Sequence, residues 1–235
     1  MKNKSAVAVI AALSALISWG LYFLFTRFPT MPLAASAQAA HVDSAWNGLL
    51  IVEGVIYAVV MAYLIYCVFA FRAGKRTEQG EKFDRSRGRF VEVGWIAISA
   101  ALTLSMAALG AHELRELIKD PTADIDIEVR SSQFSWEFYY PKYKTYGAKL
   151  FMEKDKRHRI ILTSKDVVHA FWVPEFRIKQ AAVPGKAIPM ILTPTKLGEY
   201  TLLCNQLCGR DHYDMLATVE VLNHEDFESN MKADF

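Results

Sequence analysis

Hydrophobic residues are concentrated in three long blocks in the first half of the chain, at residues 5–25, 48–71 and 91–110. The first block has no charged residue, and the second and third each contain one acid near the start, Glu53 and Glu92. Each block is long enough to cross a hydrocarbon core of about 30 Å as an α-helix. The pattern predicts membrane helices within residues 1–28, 48–72 and 90–113, joined by an external linker over residues 29–47 and a loop over residues 73–89.

From about residue 120 the pattern changes to short runs of β-branched and aromatic residues, with Pro and Gly between them. Such runs are typical of strands in an all-β domain. The predicted strands are residues 125–129, 133–140, 159–162, 190–192, 200–203 and 216–221. We therefore expect a membrane-anchored all-β protein, in which residues 120–235 form a small β-sandwich or barrel.

Composition agrees with a membrane part followed by a β domain, and the charges predict on which side of the membrane each part lies. The chain has 235 residues, of which 52% are hydrophobic, more than an ordinary soluble domain contains. Residues 72–89 carry seven Lys and Arg against three Asp and Glu, which predicts a cytoplasmic loop by the positive-inside bias. Lys2 and Lys4 place the N-terminus on the same side. The β domain is then extracytoplasmic, as expected for a protein of a bacterial inner membrane.

The N-terminal segment has two interpretations. A charged start, an apolar run and small residues at Ala35-Ser36-Ala37 or Ala37-Gln38-Ala39 are typical of a signal peptide and its cleavage site. The apolar run, however, is longer than a usual signal-peptide core and favours a retained transmembrane helix. The orientation of the remaining chain is the same in both cases.

The densest chemistry lies in one segment near the C-terminal end, which runs Cys204-Asn205-Gln206-Leu207-Cys208-Gly209-Arg210-Asp211-His212-Tyr213-Asp214-Met215. Two thiols alone would often form a disulfide in an exported domain, and structural zinc is a second alternative. The imidazole and the thioether favour copper, because soft sulfur donors with imidazole suit copper and a weak axial Met is typical of its electron-transfer sites. Two cysteines four residues apart can bridge two metals, which calls for a second imidazole, and His169 is the best upstream candidate.

The segment resembles the CuA loop of subunit II of haem-copper cytochrome c oxidases, with its pattern Cys-x-Glu-x-Cys-x3-His-x2-Met and a preceding His on a separate strand. The resemblance implies a cupredoxin-like Greek-key domain that holds a binuclear copper centre, with haem and CuB in the partner subunit I. The implied copper ligands are His169, Cys204, the Gln206 backbone carbonyl, Cys208, His212 and Met215. Gln206 stands where the family has a glutamate whose side chain reaches a magnesium site, and the sequence leaves open whether that site persists with a neutral amide.

The resemblance extends to two further places. Val91-Glu92-Val93-Gly94-Trp95 is similar to the family's Val-Glu-x-x-Trp, where the glutamate stands at the mouth of the K channel for protons. The family's Gln-Trp-x-Trp run, where electrons enter from cytochrome c, corresponds here to Gln133-Phe134-Ser135-Trp136. Phe134 replaces the first tryptophan and Trp136 matches the second, so an altered entrance for electrons is expected.

The function implied is that of subunit II of a cytochrome c oxidase, which accepts electrons at CuA and passes them to the haem of subunit I for oxygen reduction coupled to proton translocation. The implied partners are subunit I, other oxidase subunits, membrane lipid, and cytochrome c or a tethered cytochrome domain, with no nucleic acid. A tethered donor is favoured because residues 120–235 carry 15 Lys and Arg against 17 Asp and Glu, without a strong acidic excess to steer a basic cytochrome. The alternatives are the CuA subunit of a related nitric oxide reductase and a membrane-anchored copper-binding or copper-delivery protein.

Overall fold

The structure is a computed structural model, and it describes residues 2–28, 30–72 and 85–232. The chain divides into two compact units. The first comprises Met1–Thr30 and Ser44–His112, and the second comprises Met31–Asp43 and Glu113–Phe235. The apolar helices dominate the first unit, and the strands all lie in the second.

Three long apolar helices occupy the first half of the chain: α1 (Lys2–Arg27), α2 (Ala39–Ala70) and α3 (Arg85–Ile118). Each contains a stretch that is long and apolar enough to cross a membrane, with mean hydropathies of 2.1, 2.2 and 1.8. Helices α2 and α3 have 32 and 34 residues, or about 50 Å each, and so exceed a hydrocarbon core of about 30 Å.

The helices extend beyond the apolar blocks that predicted them. Helix α2 begins at Ala39, inside the segment expected to be a linker, because the polar residues before the apolar block include no proline and continue the helix. Helix α3 begins at Arg85, so Glu92 lies about 10 Å inside the helix and not at its first turn. Most of the basic loop predicted over residues 73–89 lies outside the described residues, since only residues 85–89 are described, as the start of α3.

Two five-stranded sheets form a β-sandwich in the second unit. The first has the order β3-β2-β1-β5-β8 and the second the order β4-β10-β9-β6-β7. The pairs β1–β5 and β4–β10 are parallel, and the other pairs are antiparallel. The strands are β1 (Ile125–Ser132), β2 (Ser135–Tyr140), β3 (Thr145–Gly147), β4 (Leu150–Glu153), β5 (His158–Ser164), β6 (His169–Trp172), β7 (Lys179–Ala182), β8 (Ile188–Leu192), β9 (Gly198–Cys204) and β10 (Leu216–Leu222).

The core lies between the two sheets. Strand β1 alternates buried and half-buried residues along its whole length, and β2 buries Trp136, Phe138 and Tyr140 at every second position. A short C-terminal helix, α4 (His224–Lys232), adds Phe227 and Met231 to the same core. This arrangement confirms the predicted fold class of apolar helices followed by a β-sandwich.

The sequence did not predict β3, β4 and β7, and it indicated β6 only through the resemblance, which places His169 on a separate strand. The predicted strand over residues 133–140 starts only at Ser135. All four residues of β4 and the first three of β6 are buried. Neither strand therefore has the alternation of hydrophobic and polar residues that indicates a half-buried strand. Gln133 and Phe134 lie in the turn between β1 and β2. Phe134 therefore lies in a turn, whereas Trp136 lies in strand β2.

Candidate metal centre

The predicted ligands lie at one end of the second sheet, where three neighbouring strands begin or end. His169 is the first residue of β6, Cys204 is the last residue of β9, and Met215 directly precedes β10. Strand β9 pairs with both β6 and β10, so the loop between Cys204 and Met215 connects adjacent strands next to His169. The N–H of Cys204 donates to the Met215 carbonyl at 3.2 Å and closes this loop at its base.

The side chains of these residues converge. The Sγ atoms of Cys204 and Cys208 are 3.9 Å apart, and His169 Nδ1 lies 3.8 Å from the Cys204 sulfur. On the other side, His212 Nδ1 and Met215 Sδ lie 3.4 Å and 3.8 Å from the Cys208 sulfur. The structure thus brings together every side chain that the sequence nominated, with one imidazole beside each thiol.

The Gln206 backbone carbonyl completes the set. Its oxygen lies 3.3 Å from the Cys204 sulfur, while the Gln206 side chain is exposed on the outside of the loop. A carbonyl oxygen at this position depends on the course of the loop and not on the side chain. Replacement of the family's glutamate by glutamine therefore leaves this potential ligand in position.

The donor set fits copper. A sulfur separation of 3.9 Å is far longer than the disulfide bond length of about 2.05 Å, so the two thiols are free. Among the described residues, His169, Cys204 and Cys208 form a group whose ligand atoms all lie within 4.8 Å of one another. His169 and Met215 are fully buried, and Cys204 and Cys208 are 9% and 5% exposed. Soft thiolates, imidazoles and a thioether in such a dry site favour copper over cations that prefer oxygen.

Asp166 holds His169 in this orientation. Its carboxylate accepts a hydrogen bond from His169 Nε2 at 2.8 Å, which leaves Nδ1 directed at the Cys204 sulfur. The same carboxylate accepts the backbone N–H groups of Gln133 and Val167 at 2.7 Å and 2.6 Å. Desolvation opposes ionisation of Asp166, but the bonds from His169 and from the two N–H groups outweigh it and lower its pKa to about 2. An ionised carboxylate on the outer nitrogen fixes the tautomer of a ligating histidine and raises its basicity.

Burial, together with the neighbouring Cys204 thiol, raises the pKa of the Cys208 thiol to about 11. Without metal, Cys208 therefore holds its proton at neutral pH. Because a metal binds the thiolate, loading this site must release that proton, and metal affinity should rise with pH.

The loop is packed closely against the turn between β1 and β2. Gln133 Nε2 donates a hydrogen bond to the Cys208 carbonyl. Gly209 has a φ of +145°, and a Cβ atom there would lie 2.7 Å from Gln133 Nε2 and 2.9 Å from Phe134 Cζ. Only glycine fits this position comfortably, because both the backbone conformation and the close approach exclude a side chain.

The two aromatic residues of the predicted electron entrance both lie beside the centre. The half-buried Phe134 packs over Gly209 of the loop. Trp136 is only 5% exposed and meets the His169 ring edge-on, with centroids 6.3 Å apart and an interplanar angle of 65°. Its indole Nε1 has no hydrogen-bond partner among the described residues. Trp136 is thus an interior contact of a candidate ligand.

Sequence reasoning missed Asp166, Gln133 and Gly209. The position of Asp166 three residues before His169, within a turn, is a signal that could have indicated a partner for the imidazole. Gln133 and Gly209 gave no comparable signal, because their contact joins residues that are remote in sequence. Glu92 belongs to the first unit, where it is exposed on α3.

Comparison with known proteins agrees with the fold and the site. The model of the periplasmic domain of cytochrome c oxidase subunit II matches residues 143–222, a stretch that contains all six candidate ligands. Cytochrome c oxidase subunit 2 of Synechocystis sp. is 23% identical, over 84% of this chain and 74% of that protein. Alternative cytochrome c oxidase subunit 2 of Bradyrhizobium diazoefficiens is 25% identical, over 95% of this chain and 90% of that protein.

Among solved structures, the periplasmic domain of subunit II of cytochrome oxidase from Bradyrhizobium japonicum covers 48% of this chain and 94% of its own, with 27% identity and a TM-score of 0.46. The fold and the site define an all-β domain that follows three helices long and apolar enough to cross a membrane, and that carries a sulfur-rich candidate metal site. The chain is thus similar to cytochrome c oxidase subunit II, both in the matched periplasmic-domain segment and along most of its length.

Proposed function

We propose that this chain is the electron-accepting subunit of a bacterial inner-membrane cytochrome c oxidase, which takes electrons from cytochrome c and passes them to the haem of subunit I. The observation that carries the proposal is the convergence of two free thiols, two imidazoles, a thioether and a backbone carbonyl in one cluster, in which His169, both thiols and Met215 are buried. In this proposal the cluster holds a binuclear CuA centre. Cys204, Cys208, His169, His212, Met215 and the Gln206 carbonyl would hold the metal there, and the copper would supply one-electron redox chemistry.

The protein supplies the order and dryness that such a centre needs. Asp166 orients His169, the Cys204–Met215 hydrogen bond closes the loop, and Gln133 holds the Cys208 carbonyl. These contacts keep the donor atoms in position before a metal binds, so little rearrangement is required afterwards. Trp136 contacts the His169 ring from the core side, and Phe134 packs against Gly209 of the loop. Both residues are proposed to lie where electrons enter the centre.

Copper loading of the full-length chain in detergent tests this assignment. Electron paramagnetic resonance should show one unpaired electron shared by two coppers, and metal analysis should give two coppers per chain. Cys208→Ser should abolish that signal because one bridging sulfur is lost. The matched control is Cys67→Ser, since Cys67 lies in α2 and the change should leave the signal intact. A four-line spectrum from a single copper, or a preference for zinc, would refute the assignment.

The gas that is reduced requires a separate measurement. The same copper loop would serve a related nitric oxide reductase, because the reducing site belongs to the partner subunit. We favour oxygen because the matched relatives are named as cytochrome c oxidases. Oxygen and nitric oxide consumption by the purified complex distinguishes the two. Glu92 is proposed to receive protons for this reduction from the cytoplasmic side.

The donor is proposed to be a cytochrome domain tethered next to this subunit, because residues 120–235 carry 15 Lys and Arg against 17 Asp and Glu and so lack a strong acidic excess. Asp211 pairs with Arg210 at 3.1 Å, and one carboxylate oxygen of Glu175 is buried without a partner among the described residues. Neither acid contributes fully to an exposed acidic patch, so long-range steering of a basic cytochrome should be weak. Turnover with a mobile basic cytochrome c that is fast at low salt and collapses at high salt would contradict the tethered donor.

A further inference from the structure

Residues 31–43, which precede most of α2, are part of the second unit and are here called the clamp segment. The segment contains both small-residue sequences that resemble a signal-peptidase site, Ala35-Ser36-Ala37 and Ala37-Gln38-Ala39. In the folded second unit, Ala35 and Ala39 are fully buried and Ser36 is only 6% exposed.

The backbone of the clamp segment is hydrogen-bonded to the β domain. The N–H of Ala35 donates to the Glu175 carbonyl at 2.9 Å, and the Ala35 carbonyl accepts the Thr195 N–H at 2.8 Å. The N–H of Ala37 donates to the Thr193 carbonyl at 2.9 Å. These bonds attach the segment to two places far along the chain, the turn after β6 and the chain after β8.

Ser36 connects the start of α2 to the turn at Pro174–Phe176 that follows β6. Its hydroxyl donates to the Phe176 carbonyl at 2.8 Å and accepts the N–H of Ala39 at 3.1 Å. The second bond is the typical contact of an N-cap, with the side chain satisfying an N–H group in the first turn of the helix. The serine in the middle of the first Ala-x-Ala sequence is therefore a helix cap.

Arg177 anchors the same segment at both ends. Its guanidinium, in a side chain that is 4% exposed, donates to the Asp43 carboxylate at 2.7 Å and to the Pro32 carbonyl at 2.6 Å. Pro32 and Asp43 lie on opposite sides of the two possible cleavage sites. Cleavage before residue 38 or 40 would remove Pro32 and its bond to Arg177, and would leave only the bond to Asp43.

Cleavage would also expose several unpaired groups. The carbonyls of Glu175 and Phe176 and the N–H of Thr195 would each lose a partner that the intact segment provides. Cleavage would therefore remove backbone hydrogen bonds that join this segment to the β domain. A new N-terminus at residue 38 or 40 would in addition place an ammonium group at the positive end of the α2 dipole, where a positive charge is unfavourable.

We propose that the clamp segment remains joined to α1 in the mature protein, so that its Ala-x-Ala sequences have a structural role and are not a processing site. Helix α1 is then a permanent membrane span. Its uncharged apolar block at residues 5–25 agrees, because the apolar core of a signal peptide has about 7–15 residues.

The test is the N-terminus of the chain purified from membranes in its complex. Mass spectrometry of the native chain and of the Ala37→Gln variant should find the same N-terminal peptide, from within α1 or before it. Ala37 is a suitable position because it is exposed and belongs to both possible cleavage sites. A native chain that begins at Gln38 or Ala40, or an Ala37→Gln chain longer than the native one, would overturn the proposal.

Hydrogen exchange on the same preparation tests the clamp directly. The N–H groups of Ala35 and Thr195 should be protected in the native protein, and Ser36→Ala should speed their exchange about tenfold through loss of the cap and of the Phe176 bond. Ser44→Ala, an exposed serine on α2, is the control and should change neither rate. Exchange of Ala35 at the rate of an unstructured peptide would reject the clamp.

Discussion

Gly209→Ala is expected to damage the candidate copper loop far more than an equivalent change at another glycine. The added Cβ at a φ of +145° forces a strained backbone conformation, which costs about 1–3 kcal/mol. The same Cβ would lie 2.7 Å from Gln133 Nε2 and 2.9 Å from Phe134 Cζ, so both side chains must move. Displacing Gln133 breaks its hydrogen bond to the Cys208 carbonyl, at a further cost of about 1 kcal/mol.

The matched control is Gly185→Ala. Gly185 has a φ of +74°, but nothing lies within 4 Å of the Cβ that the change would add. Alanine there carries only the left-handed backbone cost of about 1–2 kcal/mol. Gly209→Ala should therefore reduce the free energy of unfolding by about 2–4 kcal/mol, and Gly185→Ala by about half as much.

Thermal unfolding of the β domain, followed in the full-length chain with and without copper, measures this difference. At roughly 4 °C per kcal/mol, Gly209→Ala should lower the Tm by about 8–16 °C and should also alter the copper spectrum, because Cys208 precedes the shifted residue. Gly185→Ala should leave the spectrum unchanged. Gln133→Ala combined with Gly209→Ala should be less destabilised than the sum of the two single changes, since the shorter side chain removes one close contact. Equal Tm losses at the two glycines, with native copper spectra in both, would refute the reasoning.

The remaining predictions concern three other positions. Met215→Leu should retain two coppers while shifting the reduction potential, because an axial thioether tunes the metal more than it holds it; loss of the copper pair in a redox titration followed by electron paramagnetic resonance would contradict this. Glu92→Gln in the assembled complex should slow oxygen reduction while leaving reduction of the copper centre by cytochrome c intact, and unchanged turnover across pH would remove its proton role. His158 is fully buried, with Nδ1 bonded to the Lys156 carbonyl at 2.9 Å and Nε2 accepting the Glu153 N–H at 3.1 Å. Burial lowers its pKa to about 4, whereas in the unfolded chain it titrates near 6.5. As pH falls below 6.5, the unfolded chain takes up a proton on this histidine before the folded chain does. The free energy of unfolding should therefore decrease by about 3 kcal/mol between pH 6.5 and pH 4. Denaturation of the native chain and of His158→Gln at pH 7 and pH 4.5 checks this, and equal pH dependence in the two would exclude His158 as the cause.

The sequence was most informative where its signals are local. Three apolar blocks predicted three long helices because a membrane span must satisfy its backbone hydrogen bonds within one helix. Runs of β-branched and aromatic residues predicted β1 and β2 because such side chains suit a strand with one face toward the core. Five of the six candidate ligands occur within twelve consecutive residues, so their spacing alone suggested a copper loop. His169 required chemical reasoning and the family resemblance, since nothing in its own segment demands a metal.

Only the tertiary structure decided the features that join distant parts of the chain. Strands β4 and β6 carry no alternation because both of their faces are buried, and that burial depends on the neighbouring sheet. The contact of Gln133 with the Cys208 carbonyl and the role of the clamp segment arise in the same way, from pairings between residues remote in sequence. A periodic pattern records how one element faces solvent or core, whereas such contacts depend on how whole elements pack. The sequence by itself therefore determined the helices, most core strands and the chemistry of the loop, while packing determined what orients His169 and what holds residues 31–43 in place.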